Sequence, residues 1–292
     1  MKKLTIIINP SSGQPLPVIP QISDFAEQNR FSWEILTTRK QGDASLFAKQ
    51  ALEKRADVVL VYGGDGTVME VAESLMNTET PLYIIPGGTA NILAKELQIP
   101  LMTEQALKLL TNPETNIKRI DMGTVNKKPF ILRVNSGVLA DMIIEADPNA
   151  KVSFGQLAYS FSAVQQFANT QSIQYSITID GETERLQGIT LTIANSGNIG
   201  FSGVSFTPDI KVDDGLLDIL VLRENTIGSL AGVITGAVIN RTIHEQLAHW
   251  RVKKATISMH PGQSVLRDDV MLKETTLEIE TVPSAISIAT PL

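Results

Sequence analysis

The amino-acid sequence predicts an α/β domain built on a parallel sheet, followed by a second, mostly antiparallel β domain. Three observations lead to this fold class. Up to about residue 123, short apolar runs alternate four times with segments of helical periodicity, the pattern of a parallel sheet covered by helices. Beyond that point, apolar and polar residues alternate singly, as in antiparallel strands. The glycine-rich and polar turns of the first domain follow its apolar runs, where ligands bind in such sheets.

The centre of the first domain is the segment 57–67, an apolar run that ends abruptly in glycines. A short Val- and Leu-rich run predicts a strand buried on both faces. Thr67, with Glu70 three residues later, predicts the capped start of a helix. The apolar residues that follow share one helical face: Val68, Val71, Ala72, Leu75 and Met76. The glycines therefore form a strand-to-helix turn.

The other elements are predicted from the same patterns. In the first domain, strands are expected at residues 4–8, 32–38 and 82–85, and helices up to about residue 29 and at 43–52 and 92–97. In the second domain, strands are expected at residues 175–179, 189–194, 216–222, 255–259, 277–280 and 285–289. Helices are expected at residues 156–167 and in the uncharged stretch 225–240, which is too short to span a bilayer.

Composition excludes several classes of function. The 292 residues are 43% hydrophobic, which is typical of a globular protein, and the formal charge of −6 argues against a nucleic-acid partner. Cysteine is absent, so thiol catalysis, disulfides and Cys-ligated zinc are excluded. The apolar run at residues 4–8 has the length of a strand rather than of a signal peptide, and we expect a cytoplasmic protein.

The turn at residues 63–67 is the strongest candidate for a phosphate site. Glycines let the backbone adopt positive φ and let another group approach the main chain, and the free N–H groups of the next helix attract an anion. Asp65 would repel a bound phosphate unless a cation or a hydroxyl proton lies between them. This combination favours phosphoryl transfer with a divalent metal. The alternative is a tight turn that binds nothing.

Three further strand ends carry polar residues: the turn at 9–13, Thr38 and the turn at 87–91. Because the carboxyl ends of parallel strands meet at one edge of a sheet, we expect them to converge with the central turn on a nucleotide or phosphate site. Neither a nucleophile elbow, a Walker motif nor a dinucleotide fingerprint is present.

The second domain has one acidic turn, with Asp213, Asp214 and Asp218 around Gly215. Carboxylates and main-chain carbonyls at a glycine turn are hard oxygen ligands that suit magnesium. The alternative is a solvated turn that opens the strand at 216–222. The three histidines show no ligand spacing, and His249, within a predicted helix, is expected to be structural or solvated.

The order of these motifs resembles the diacylglycerol kinase-like lipid kinases of bacteria. The resemblance rests on Asn-Pro-x-Ser-Gly at residues 9–13, Gly-Gly-Asp-Gly-Thr at 63–67, Pro-Gly-Gly-Thr-Ala-Asn at 86–91 and Asp-Asp-Gly-Leu-Leu-Asp at 213–218. It implies a Rossmann-like three-layer domain at residues 1–123, completed by 284–292, and a β-sandwich domain at 124–283, with ATP in the cleft between them. NAD kinases share the central motif.

The resemblance also implies roles for individual residues. The expected nucleotide contacts are Asn9, Pro10, Ser11, Ser12, Gly13, Thr38, Gly63, Gly64, Asp65, Gly66, Thr67, Val68, Met69, Thr89 and Asn91. Lys211 and Leu216, through their carbonyls, and Asp214 match the magnesium ligands of the family. Asp218, in the same turn, is a further candidate ligand. Asp65 is expected to order metal and water near the phosphates.

The chain departs from the family pattern near its C-terminus. Family members usually have Asp-Gly-Glu before the penultimate strand, with the glutamate as the base for the lipid hydroxyl, whereas this chain has Asp268, Asp269 and Val270. Either aspartate substitutes for the missing carboxylate, or phosphate transfer is weak or absent. General-base assistance contributes about 3–5 kcal/mol, so its loss would slow such an enzyme more certainly than abolish it.

The first hypothesis is an ATP- and Mg²⁺-dependent kinase of diacylglycerol or a related lipid, cytoplasmic and with peripheral membrane contact. The second is a nucleotide- or lipid-binding protein of the same fold that has lost catalysis. A third is a relative of NAD kinase. The lipid presented at a membrane surface is the expected partner, nucleic acid is not, and a homodimer is left open.

Overall fold

A computed structural model describes residues 2–13, 18–145, 171–198, 209–223, 247–268 and 270–292. The chain forms two compact units, Met1–Ile120 with Ser284–Leu292, and Asp121–Pro283. The helices predicted at 156–167 and 225–240, and Asp269, lie outside the described residues. Within the described part of the chain, no helix is both long and apolar enough to cross a membrane.

The first unit alternates strands and helices. Its elements are β1 Lys3–Ile8, α1 Val18–Gln28, β2 Ser32–Thr37, α2 Asp43–Glu53, β3 Val58–Gly63, α3 Asp65–Leu75, β4 Leu82–Pro86, α4 Ile92–Glu96 and α5 Thr103–Lys108. The strands lie in the order β2-β1-β3-β4, and all pairs are parallel. Helix α2 packs against α3 and α1 against α5. Every residue of β3 is buried, which confirms its place at the centre of the sheet.

Helix α3 begins three residues earlier than the sequence predicts. Its N-cap is Gly64, which is extended and makes no side-chain capping bond, and Asp65 is the first helical residue. The predicted capping role of Thr67 is therefore wrong. The physical reason is that the Thr67 hydroxyl accepts a hydrogen bond from the Asn9 side chain, 2.9 Å away, and Thr67 is buried within the first turn.

Two strands pass from one unit into the other along the chain, β5 Asn116–Val125 and β16 Thr276–Thr290. The other elements of the second unit are β6 Lys128–Phe130, β7 Arg133–Gly137, α6 Val138–Glu145, β8 Ile173–Ile179, β9 Glu182–Gly188, β10 Thr190–Ala194, β11 Leu217–Leu222, β12 Leu247–Val252, β13 Lys254–Met259, β14 Val265–Arg267 and β15 Val270–Leu272.

The second unit is an antiparallel β-sandwich. One sheet has the order β12-β11-β10-β7-β14-β15, and in the other β9, β8, β13 and the first part of β16 pair in that order. Alternate residues such as Tyr175 and Ile177 point into a core that strands of both sheets share. The β8–β9 turn is formed by Asp180 and Gly181, both at positive φ, as a two-residue hairpin requires. The predicted fold class is thus confirmed for both units.

Strand β16 corrects one sequence prediction. Residues 277–280 and 285–289 are expected as separate strands, but they form one strand of 15 residues that runs through Pro283. Its first part pairs with β13 in the second unit, and its last part pairs with β4 in the first, where Ile288 lies opposite Leu82. Proline is tolerated because the strand changes its pairing partner there.

Candidate functional site

Three turns meet at the carboxyl edge of the sheet in the first unit. The backbone N–H of Asn9, after β1, donates to the carbonyl of Tyr62 at 2.9 Å, and the N–H of Gly87, after β4, donates to the carbonyl of Gly63 at 2.8 Å. The turns after β1 and β4 therefore flank the one after β3. Thr38 lies at the same edge after β2, where its N–H donates to the Ile8 carbonyl at 2.9 Å.

Side chains of the first turn fasten it to the central one. The Asn9 amide donates to the Thr67 hydroxyl at 2.9 Å, while its own oxygen accepts from the Ser11 N–H at 3.0 Å. The Ser12 hydroxyl accepts from the Gly64 N–H at 3.3 Å. These bonds fix the turn at residues 9–13 against the start of α3.

The third turn approaches the central one through backbone alone. A Cβ on Gly88 would lie 2.5 Å from the Cα of Gly64, closer than real Cβ contacts allow, so position 88 requires glycine. A Cβ on Gly64 would lie 3.2 Å from the Cα of Gly88, which is a tight contact. Asn91 holds the turn in shape, because its amide oxygen accepts from the Gly88 N–H at 2.9 Å and its amide nitrogen donates to the Gly88 carbonyl at 2.7 Å. Asn91 itself adopts positive φ as the N-cap of α4.

Asp65 connects the central turn to α4. Its Oδ1 accepts a hydrogen bond from the N–H of Leu93 at 3.3 Å, within the first turn of that helix. Lys95, on the same helix, is partly buried; burial lowers the pKa of its ammonium group, and the Asp65 carboxylate acts in the opposite direction. This edge of the sheet therefore contains a cation whose charge interacts with the Asp65 carboxylate.

The remaining predicted contacts of the nucleotide lie along the same edge. Pro10, Ser11, Gly13 and Thr89 are exposed, and Gly66 is half-buried in the first turn of α3. Val68 and Met69 are each 4% exposed, so their side chains belong to the core and only their backbone is available to a ligand. Sequence reasoning missed Leu93 and Lys95. A basic residue one turn after Asn91 was the available signal for Lys95.

The acidic turn in the second unit is held by charged partners. Asp214 Oδ1 accepts from the Leu216 N–H at 3.1 Å, and its Oδ2 pairs with the guanidinium of Arg251. Asp218 is fully buried; its Oδ1 lies 2.5 Å from Nε2 of His249 and 3.8 Å from Nε of Arg251. Asp121 completes the arrangement, because its Oδ2 accepts from the Gly215 N–H at 2.6 Å.

This turn partly fits a magnesium ion. Asp218 Oδ2 is buried and has no hydrogen-bond partner among the described residues, and carboxylate and carbonyl oxygens are the donors that Mg²⁺ prefers. No three acidic or histidine side chains of the described part of the chain are grouped as a metal site. A cation held by Asp214 and the carbonyls of Lys211 and Leu216 would share that carboxylate with Arg251.

Three of the residues around this turn were not anticipated as part of it. Asp121, His249 and Arg251 are distant in sequence from the turn, and no spacing rule connects them to it. The prediction that His249 lies in a helix is wrong, since it belongs to β12 and pairs with Leu220 of β11. The residues before β12 carry no charge pattern that would have distinguished the two outcomes.

Asp268 organises the chain before β7. Its carboxylate accepts hydrogen bonds from three consecutive backbone N–H groups, those of Ile131 and Leu132 at 3.1 Å and that of Arg133 at 2.8 Å. Its own N–H donates to the Arg133 carbonyl at 2.8 Å, and it is 8% exposed. These bonds give Asp268 a structural task, and its role as a general base stays a prediction. Val270 lies in β15 opposite Arg267.

Comparison with known proteins gives both units a family. Residues 3–125 match the model of the diacylglycerol kinase catalytic domain, and residues 133–290 match the YegS C-terminal NAD kinase beta sandwich-like domain. A diacylglycerol kinase of Bacillus subtilis is 28% identical over 251 residues, which cover 84% of this chain and 82% of that protein.

Two further proteins are similar over most of this chain. An uncharacterized protein of Synechocystis is 31% identical over 239 residues, and the match covers 80% of this chain but 55% of that protein. The crystal structure of a diacylglycerol kinase from Bacillus anthracis matches with a TM-score of 0.78 and 26% identity, over 98% of this chain and 96% of that one. With both units matched in order by family models, the chain belongs to the diacylglycerol kinase-like lipid kinase family.

Proposed function

We propose that this chain transfers the γ-phosphate of ATP, in the presence of Mg²⁺, to a hydroxyl of diacylglycerol or a related lipid. The observation that carries the proposal is the meeting of three strand-end turns through Asn9–Thr67, Gly63–Gly87 and Gly64–Gly88. Backbone N–H groups at such an edge, next to the start of an 11-residue helix, form a binding site for phosphate.

Each turn has a part in this proposal. The N–H groups of Gly66 and Thr67, in the first turn of α3, have no partner inside the helix and can bind phosphate oxygens. Asn9 and Ser12 hold the neighbouring turn, so that the pocket is formed before the nucleotide arrives. Bound together with ATP, Mg²⁺ would neutralise charge on the phosphate oxygens. Asp65 would orient water and metal at that point.

The acidic turn is proposed as a second, structural site for Mg²⁺. Asp214 and the carbonyls of Lys211 and Leu216 would hold the ion, with Asp218 contributing negative charge from its buried position. Such an ion would stabilise the turn that precedes β11. It would not touch the reacting groups in this proposal.

The lipid substrate implies contact with a membrane surface. Leu101 and Met102, neighbours in the segment before α5, are 49% and 62% exposed, and adjacent exposed apolar side chains of this size support peripheral insertion. We propose a cytoplasmic protein that binds membranes reversibly. Vesicle sedimentation with the wild type and a Leu101→Ser, Met102→Ser double variant tests this step, and equal binding by both proteins would contradict it. That the chain forms a homodimer stays a prediction, which sedimentation equilibrium would test.

The decisive experiment is phosphate transfer from labelled ATP to a panel of lipids in mixed micelles. The control is Asp65→Asn, because asparagine keeps an oxygen that can accept from the Leu93 N–H while losing the charge. We expect transfer by the wild type and a loss of at least roughly a hundredfold in the variant, which is the usual size of a lost charged catalytic group. Transfer by the wild type no faster than by Asp65→Asn or Asp65→Ala would defeat the proposal.

A second candidate function is nucleotide or lipid binding without catalysis. Two observations favour it. Three backbone N–H groups donate hydrogen bonds to the Asp268 carboxylate, and Val270 stands at the place of the expected glutamate. The substitution Val270→Glu distinguishes phosphate transfer from binding without catalysis. A large gain of transfer supports a degraded site, whereas an unchanged rate shows that the base lies elsewhere. Offering NAD in place of lipid tests the weaker alternative of NAD phosphorylation.

A further inference from the structure

Lys95 lies on a helix whose position is fixed by the candidate phosphate site. Its backbone N–H donates to the carbonyl of Asn91 at 3.0 Å, and Asn91 in turn holds the turn at Gly88 with two hydrogen bonds. Leu93, in the same helix, donates its backbone N–H to the carboxylate of Asp65, which is the first residue of α3. The backbone that carries the Lys95 side chain is therefore connected by hydrogen bonds to two of the three turns.

The Asp65 carboxylate and the Lys95 ammonium interact electrostatically. Asp65 favours the charged form of Lys95, while burial, the larger effect, lowers the pKa of the ammonium below its ordinary value. Lysine on the surface of a five-residue helix is ordinarily free to extend into water. Here part of the side chain is instead withdrawn from solvent beside the central turn.

The charges of the proposed ligand give this cation a role. The terminal phosphates of ATP would lie at the N-terminus of α3, whose first residue is Asp65, and two negative groups a few ångströms apart repel each other strongly when partly buried. A metal ion relieves some of that repulsion. A resident ammonium group would relieve a further part of this repulsion, and it is present before the nucleotide binds.

We propose that Lys95 is a phosphate-binding residue whose ammonium lies between the Asp65 carboxylate and the β- and γ-phosphates of the bound nucleotide. The inference rests on the proposed ATP site and adds to it a side chain that none of the sequence motifs contains. Lys95 would distinguish nucleotides by the number of their phosphates. The structural alternative is that Lys95 only neutralises Asp65 and touches no ligand.

The test compares ATP with AMP, which lacks the two phosphates concerned. Calorimetry is performed on Lys95→Met, Lys95→Arg and a matched control, Lys108→Met, whose exposed lysine pairs with Glu104 on α5. A charge-assisted hydrogen bond to phosphate predicts that Lys95→Met weakens ATP binding by roughly 10- to 100-fold. AMP affinity is expected to stay within about twofold, Lys95→Arg to recover most of the loss, and Lys108→Met to bind as the wild type does.

Two results would overturn the inference while leaving the proposed function intact. One is ATP affinity of Lys95→Met equal to that of the wild type, and the other is an equal loss for ATP and AMP, which a merely structural lysine predicts. Should Lys95→Met not fold, Lys95→Gln is measured in its place, with thermal unfolding as the check. A wild-type protein that binds no adenine nucleotide would instead refute the proposed function and, with it, this inference.

Discussion

The side-chain amide of Asn9 and the hydroxyl of Thr67, 58 residues apart, are joined by a hydrogen bond of 2.9 Å. This bond links the turn after β1 to the first turn of α3 and explains why Thr67 does not cap the helix. It also makes the geometry of the phosphate site depend on a side chain from another strand end. The arrangement can therefore be altered without changing any residue of the glycine turn.

The first prediction concerns Asn9→Ala. Removing the amide leaves the buried Thr67 hydroxyl without this donor, and we expect the free energy of unfolding to fall by about 1 kcal/mol. ATP affinity should fall as well, because the turn at residues 9–13 loses its attachment. Calorimetry and chemical denaturation measure the two effects. Asn29→Ala, which removes an exposed bond at the end of α1, is the control and should leave ATP binding unchanged.

The second prediction concerns the close approach of two backbones. In Gly88→Ala, the new methyl group would lie 2.5 Å from Gly64 Cα and must push the third turn away from the central one. We expect a loss of about 1–3 kcal/mol in stability, as overpacking usually causes, together with a loss of nucleotide binding.

Gly181→Ala is the control for that substitution. Its methyl group meets nothing within 4 Å, but the positive φ of the hairpin turn imposes backbone strain of about 1–2 kcal/mol. Stability should therefore fall in both variants, and nucleotide binding only in Gly88→Ala. Unimpaired ATP binding by Gly88→Ala would show that the approach of the two turns is unnecessary for the site.

The third prediction separates the two possible tasks of Asp268. Asparagine tolerates the positive φ of this residue, so Asp268→Asn changes the carboxylate and spares the backbone. Its amide nitrogen can no longer accept, and at least one of the three N–H groups at residues 131–133 loses its partner. We expect destabilisation by about 1–3 kcal/mol, measured by chemical denaturation.

The activity of the folded Asp268→Asn protein then shows whether Asp268 is a structural anchor or the general base. A variant that is destabilised but, once folded, transfers phosphate at the wild-type rate has lost only an anchor. If its stability were unchanged while transfer disappeared, Asp268 would instead act as the base. Assays should therefore be run at temperatures where thermal unfolding shows both proteins fully folded.

The fourth prediction concerns Arg251 and the acidic turn. In Arg251→Met, Asp214 and Asp218 lose a positive partner, so the protein in EDTA should be less stable by about 1 kcal/mol, the scale of a partly exposed ion pair. Added Mg²⁺ should raise the melting temperature of the variant more than that of the wild type, since the ion no longer competes with the guanidinium. Lys254→Met, which removes an exposed pair with Glu280, is the control. Equal responses to Mg²⁺ in all three proteins would speak against a metal at this turn.

The sequence predicted what is encoded locally. Strand β3 and its glycine turn are visible because a buried parallel strand is apolar along its whole length and the turn follows at once. Strand β7 was missed for the opposite reason. It is fully buried but contains Asn135 and Ser136, whose polar side chains have partners on other strands: the Thr192 hydroxyl donates to Asn135 Oδ1 at 2.9 Å, and the Ser136 hydroxyl donates to Met259 Sδ at 3.1 Å.

The candidate site was predictable to the same extent. Residues within the four strand-end segments could be found because each segment carries its own composition of glycine and small polar residues. Asp121 and Arg251 could not, because each acts through a partner supplied by another element. His249 was misplaced since a strand that pairs with β11 has no strong alternation of its own, and four of its six residues are half-buried.

Strand β16 sets an order of events during synthesis of the chain. The first unit contains residues 1–120, yet its sheet is finished by residues 284–292, where Ala285 accepts from the Asn77 N–H at 2.7 Å and Ser284 from the Arg119 guanidinium at 2.9 and 3.1 Å. A nascent polypeptide must therefore hold this unit unfinished on the ribosome while about 160 further residues are translated. Protease sensitivity of the first unit should persist until residues 284–292 have been synthesised.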